Sequence, residues 1–143
     1  MSRIKLTLPE KFPFSTLIPV RITDINYGGH VGNDSILSLL HEARMHFLKS
    51  VGYTELEFAG VGLIMADAAI EFKGEAFYGD VLTAYVTAAE FSRFGFELYY
   101  KLMKGNDGGA VALAKTAMIC FDYKARKVVS IPEEAHKKLA ELI

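Results

Sequence analysis

Asn33-Asp34-Ser35-Ile36-Leu37-Ser38-Leu39-Leu40-His41-Glu42-Ala43-Arg44-Met45-His46-Phe47-Leu48 is the stretch on which the fold turns. Its apolar side chains, Ile36, Leu37, Leu39, Leu40, Ala43, Phe47 and Leu48, cover more than one face of a helix, where a surface helix carries a narrower stripe. Such a helix is expected to be enclosed by other elements. Asn33 or Asp34 can cap its start by accepting from free first-turn N–H groups, and Gly52 can end it. A short second helical stretch is expected over 54–59.

Upstream, Leu17, Ile18, Val20 and Ile22 predict a strand over 14–23. Between strand and helix runs Asp24-Ile25-Asn26-Tyr27-Gly28-Gly29-His30-Val31-Gly32-Asn33, whose three glycines point to unusual backbone conformations or to close approach by a ligand. Downstream, β-branched, aromatic and alternating residues predict long strands over 63–72, 81–91, 94–104 and 110–122. Gly105-Asn106-Asp107-Gly108-Gly109 reads as the hairpin turn between the last two. A short edge strand is expected over 128–130. Ser130-Ile131-Pro132-Glu133 has capping-box spacing before Ala135, Leu139 and Leu142. The order is strand, buried helix, then four or five antiparallel strands. That is an α+β domain spanning 1–143, a long central helix wrapped by a five- or six-stranded antiparallel sheet. One such layer leaves the helix partly uncovered, so a homodimer or homotetramer is expected.

Composition narrows the partners. With 51% apolar and 23% charged residues among 143, the chain can bury a substantial core, and a net charge of −1 without a basic stripe argues against nucleic acid. Lys124, Arg126 and Lys127 read as a solvated turn. No leader and no run of the roughly 18–20 apolar residues needed to span a membrane is read, so a cytoplasmic location and no membrane partner are expected. Cys120, inside Ala117-Met118-Ile119-Cys120-Phe121, reads as a buried, inert thiol, and no Cys/His spacing fits zinc.

The loop and helix together resemble the hot-dog fold, in particular its 4-hydroxybenzoyl-CoA and acyl-CoA thioesterase branch. Members carry an acidic loop ending in a Gly-His-Val-Asn-Asn-like stretch, then a helix with Glu-Ala-Arg. Here those places hold Gly29-His30-Val31-Gly32-Asn33 and Glu42-Ala43-Arg44, and Tyr78-Gly79-Asp80-Val81-Leu82 supplies a later Gly-Asp before a strand. The resemblance implies a dimer or a tetramer of dimers with sites at the interface, an acyl-CoA or acyl-carrier thioester as substrate, and no metal or redox cofactor. It also implies a catalytic aspartate at the position where this chain has Asn26.

Thioester hydrolysis requires an activated water or nucleophile, and donors for the developing oxyanion. The helix start at Gly32 and Asn33 offers free N–H groups and the positive dipole end; the resemblance places the polarising N–H near Asn33. Asn26 can orient substrate or water but cannot accept a proton at neutral pH. Four groups stand for the base. Asp24 either activates water or braces the loop. Glu42 is a costly charge on an apolar helix unless it is paired or faces the site. His30 titrates in a useful range or braces the loop. Asp67 interrupts an apolar strand, in structural pairing or beside the substrate. Gly29, Val31, Gly32, Asn33 and Asp67 are the expected substrate contacts. Two rival readings accompany hydrolysis: a non-catalytic acyl-thioester binder, and a hot-dog hydratase or dehydratase using an Asp/His or Glu/His pair.

Overall fold

The computed structural model describes residues 1–105 and 108–143. Strand β1 (Phe14–Pro19) leads through a 3₁₀ turn to helix α1 (Asn33–Ser50). Strands β2 (Gly62–Phe72), β3 (Val81–Ala89), β4 (Gly95–Lys104), β5 (Ala110–Asp122) and β6 (Lys127–Val128) follow, then helix α2 (Glu133–Ala140). The strands form one antiparallel sheet in the order β1-β3-β4-β5-β2, with β6 paired to β5.

Alternation decides which face is covered. Leu82, Ala84, Val86 and Ala88 of β3, Leu98, Tyr100 and Leu102 of β4, and Ala112, Ala114, Met118 and Cys120 of β5 are buried on one face. Ile36, Leu39, Leu40, Ala43, Phe47 and Leu48 of α1 complete that core. The backbone of α1 lies nearest β1 and β3. Strand β2, at the far edge, keeps Met65 and Phe72 exposed.

Helix α1 ends as expected at Gly52. Its φ of 87° lets the Gly52 N–H reach Lys49 O and the Tyr53 N–H reach Leu48 O, a two-bond stop that L residues adopt with strain. Other local expectations are corrected. The first strand stops at Pro19, and Ile22–Asp24 turns instead, because the Asp24 carboxylate accepts the Arg21 N–H. Gly32, not Asn33 or Asp34, is the N-cap, and no side chain caps it. Residues 54–59 are not helical: Thr54 Oγ1 accepts the Glu57 N–H, and Phe58 bridges to Val61. The capping box is absent, since α2 begins after Pro132 without a side-chain cap, and Leu142 falls beyond the helix. The edge strand is Lys127–Val128. Asn106 and Asp107 of the expected hairpin turn lie outside the described residues. Lys124, Arg126 and Lys127 are exposed. No helix among the described residues is long and apolar enough to cross a membrane.

Candidate active site

The glycine loop is held from both ends by its own polar groups. Asp24 is 3% exposed. Its Oδ2 accepts the Arg21 N–H at 2.8 Å, its Oδ1 meets the Arg21 guanidinium at 3.2 Å, and its carbonyl accepts the Gly32 N–H at 3.1 Å. Its carboxylate therefore braces the loop. Asn26 works from the middle: Oδ1 accepts N–H groups from Gly28 (2.9 Å) and His30 (3.4 Å), while its own N–H donates to His30 O (2.9 Å). Gly29 donates to Asn26 O at a φ of 85°, and a side chain there would meet open space. Backbone conformation thus accounts for this glycine.

His30 Nδ1 lies 3.0 Å from Val31 O. A carbonyl can only accept, so Nδ1 carries a proton and Nε2 is the ring nitrogen not used in this bond. Val31 donates its N–H to Ala76 O at 2.8 Å, which ties the loop to the segment after β2. That segment hangs from Val111 O through the N–H groups of Lys73 and Gly74. Between loop and segment lies a pocket of about 260 Å³. His30, Val31, Asn33 and Ile36 line one side, and Phe72, Glu75, Ala76 and Val111 the other. Glu75 is a carboxylate that sequence reasoning missed; it sits far along the chain, and the Val31–Ala76 bond joins its segment to the loop.

The helix start supplies donors. Ser35 and Ile36 give their N–H groups to Gly32 O, whereas those of Asn33 and Asp34 precede the first helical bond. Beside them lies a second carboxylate. A Cβ built on Gly32 would stand 2.5 Å from Asp34 Oδ1 and 3.5 Å from Asn26 Cβ. The exposed Asp34 side chain thus folds back over Gly32, with Oδ1 in the space a side chain at position 32 would fill, at the rim of the pocket and not in its lining. A first-turn acid also complements the helix dipole.

Two expected site residues are placed elsewhere. Glu42 does not line the pocket: nine residues beyond Asn33, at 100° per residue, it lies half a turn round α1. It pairs there with His46, Oε2 to Nε2 at 2.7 Å, while His46 Nδ1 meets Thr16 Oγ1 at 2.7 Å. At 55% side-chain exposure Glu42 is solvated, so the expected core charge is not present. Asp67 follows a bulge in β2 and sits opposite Ala117. It points to the face away from α1, where it accepts from Lys115 Nζ (2.9 Å) and the Ala117 N–H (3.2 Å).

The charge that is buried on α1 is Arg44. Its Nε donates to Glu55 Oε2 at 2.8 Å and its Nη1 to the Tyr100 hydroxyl at 3.2 Å. Burial opposes that charge, but Tyr100 and Glu55 outweigh it and hold the guanidinium above its usual range. Tyr100 in turn shares a 2.7 Å bond with Thr116 Oγ1. The Cys120 thiol, buried among core side chains, is pushed up to about 11 by desolvation and is not a nucleophile. Among the described residues, no three His, Cys, Asp or Glu side chains are grouped to hold a metal ion.

Helix-start donors, a neighbouring carboxylate and a small pocket of mixed polar and apolar lining meet the requirements of acyl transfer to water. Comparison with known proteins gives the same class. Residues 20–139 match the profile of the thioesterase-like superfamily. The chain belongs to that superfamily and has its hot-dog fold. Among its relatives is a 1,4-dihydroxy-2-naphthoyl-CoA hydrolase from Microcystis aeruginosa, 32% identical over 85% of this chain and 87% of that one. A solved hypothetical protein of Aquifex aeolicus is 30% identical with a TM-score of 0.80, covering 89% of this chain and 99% of its own. A 1,4-dihydroxy-2-naphthoyl-CoA thioesterase from Synechocystis, at 23% identity, shares the fold with a TM-score of 0.81 over 90% and 96% of the two chains.

Proposed function

We propose that the protein hydrolyses acyl-CoA or a closely related acyl thioester. In this reading the thioester oxygen lies at the free N–H groups of Asn33 and Asp34, at the positive end of α1. The acyl group enters the pocket walled by Val31, Ile36, Phe72 and Val111. Asp34 serves as general base: water held between it and the thioester gives its proton to the carboxylate and its oxygen to the acyl carbon, and the thiolate leaves. Asn26, Asp24 and Gly29 hold the loop, and His30 presents Nε2 beside the pocket.

The observation that carries the reading is the position of the Asp34 carboxylate over Gly32. The resembled enzymes hold an aspartate at the place of Asn26 and a side chain at the place of Gly32. This chain departs at both, and the two positions are neighbours in space, with Asp34 Oδ1 filling the room that the glycine leaves. The carboxylate absent at 26 is thereby supplied from 34.

A dimer belongs to the same proposal. Strand β2 is an edge strand of 11 residues with exposed Met65 and Phe72; Leu63 N–H donates to Glu55 O, and no strand among the described residues pairs with the rest of that edge, which is normally covered. Pairing of two β2 edges would bring a second copy beside Phe72, one wall of the pocket. The cytoplasm is the expected location, where a lone buried thiol stays reduced.

The test is a panel of aliphatic and aromatic acyl-CoAs with a thiol-trapping dye. Release of CoA at a kcat above about 0.1 s⁻¹, within a couple of decades of the typical ~10 s⁻¹, is expected for at least one. Tight binding without release across the panel would favour the non-catalytic binder, in which Asn26 and its bonded loop only hold the thioester.

A further inference from the structure

One residue in the lining of the acyl pocket carries an unmatched charge. Glu75 is the only lysine, arginine, aspartate or glutamate in that lining. Its neighbours fix its place. The Gly74 N–H donates to Val111 O at 3.2 Å, and a side chain at Gly74 would stand 2.9 Å from Ala110 O, so this stretch lies close on β5. On the other side Ala76 is buried, and its carbonyl accepts the Val31 N–H at 2.8 Å. Glu75 is thus held between two anchored residues, across the pocket from His30 and Asn33. It is exposed, and among the described residues no cation pairs with its carboxylate. Lys73, two positions before it, directs its Nζ to Glu71 Oε2 at 3.5 Å. Asp34, at the rim, adds a second acid rather than a match.

We propose that Glu75 makes the acyl pocket a charge sieve, favouring thioesters whose acyl group ends in a cation, accepting neutral ones and excluding those that end in a carboxylate. The inference rests on the thioesterase reading for the reaction and deepens it by naming the class of acyl group. An acyl group that enters the pocket displaces water from the Glu75 carboxylate, and an alkyl end puts nothing in its place. An ammonium end returns a charge-assisted hydrogen bond. A carboxylate end brings like charges together. Two unit charges about 4 Å apart change an equilibrium by roughly fivefold in bulk water and by several hundredfold near a protein surface. Because Glu75 faces solvent, a discrimination toward the lower end, about tenfold, is expected.

Four CoA thioesters that share one carrier separate charge from size: glutaryl against pentanoyl, and 3-aminopropanoyl against butanoyl. By thiol trapping, kcat/KM should be at least about tenfold lower for glutaryl than for pentanoyl, and several-fold higher for 3-aminopropanoyl than for butanoyl. Both ratios should shrink in about 0.5 M salt, which screens charge and leaves shape alone. Glu75→Gln should bring both ratios to within about threefold of unity, and Glu75→Lys should invert them. Equal use of glutaryl and pentanoyl by the unmodified protein, or ratios that Glu75→Gln leaves unchanged, overturns the proposal. Loss of all turnover in Glu75→Gln overturns it too, since the carboxylate would then serve the chemistry rather than the choice of substrate. Should the unmodified protein hydrolyse none of the four, the thioesterase reading fails. The intact thioesters are then ligands, and the same order must appear in their Kd by calorimetry; without it the sieve also falls.

Discussion

Replacing Gly32 by alanine separates a catalytic Asp34 from one that only adorns a helix start. Gly32 has φ −72° and ψ 151°, a conformation alanine adopts freely. The added methyl would stand 2.5 Å from Asp34 Oδ1, whereas ordinary contact begins near 3.4 Å, so the carboxylate must retreat by about 1 Å. The stability terms nearly cancel. Alanine is a poorer N-cap than glycine by several tenths of a kcal/mol to ~1, and the less flexible unfolded chain returns about 0.4–1 kcal/mol. The melting temperature should therefore move by no more than about 4 °C. A misplacement of 1 Å at the reacting groups costs on the order of 10²-fold in rate. Steady-state kinetics by thiol trapping should accordingly show kcat down about 100-fold in Gly32→Ala. Asp34→Asn, which keeps the shape but not the basicity, should lose 10²–10⁴-fold. Glu42→Gln, half a turn away and paired only with His46, should stay within about threefold, since an exposed helix pair is worth only a few tenths of a kcal/mol. Near-normal turnover by Asp34→Asn would refute the assignment. A crippled Glu42→Gln or Glu75→Gln would then show which carboxylate holds the water.

Four further outcomes follow from the same geometry. Asp24→Asn should lower stability by about 1–3 kcal/mol and activity in step with it, because the buried carboxylate that accepts the Arg21 N–H and guanidinium is altered; full stability with lost activity would return Asp24 to the chemistry. Glu55→Ala, which strands the buried Arg44 guanidinium, should cost about 2–3 kcal/mol in urea unfolding, below the fully buried range because Glu55 is 21% exposed. Cys120 should resist alkylation in the folded protein at pH 8. Between its ordinary 9.0 and about 11 the unfolded chain sheds the thiol proton that the folded chain keeps, so stability falls as pH rises through that window, and Cys120→Ala should shallow the fall. Light scattering at low micromolar concentration should give at least a dimer, and a monomer would leave the β2 edge unexplained.

The fold was legible because period and length spoke clearly. Helix α1 announces itself by Leu39, Leu40, Ala43, Phe47 and Leu48, and β4 and β5 by alternation that their burial largely repeats, whereas β3 buries Thr83 and Thr87 as well as Leu82, Ala84, Val86 and Ala88. Boundaries set by side-chain bonds were not legible. Nothing local reveals that Asp24 will turn the chain at Arg21, or that Thr54 and Glu57 will close a turn rather than a helix.

The site divides along the same line. Composition and spacing locate the glycine loop and the helix start, since glycine and free N–H groups are properties of the chain itself. Which carboxylate stands beside them depends on packing. A charge at Glu42 on an apolar helix is expensive if buried, yet Glu42 reaches solvent and pairs with His46, and the truly buried charge is Arg44, matched by Glu55 and Tyr100. Asp34 was read as a cap because aspartate commonly caps; it became a base candidate only when Gly32 proved to be the cap and left its own side-chain space to the carboxylate. A glycine where the resembled family's Gly-His-Val-Asn-Asn-like stretch implies a side chain is therefore the sequence signal that could have found it. The same signal can be sought in other chains of this class: where the loop aspartate is replaced, a small residue at the cap should accompany an acid two positions on.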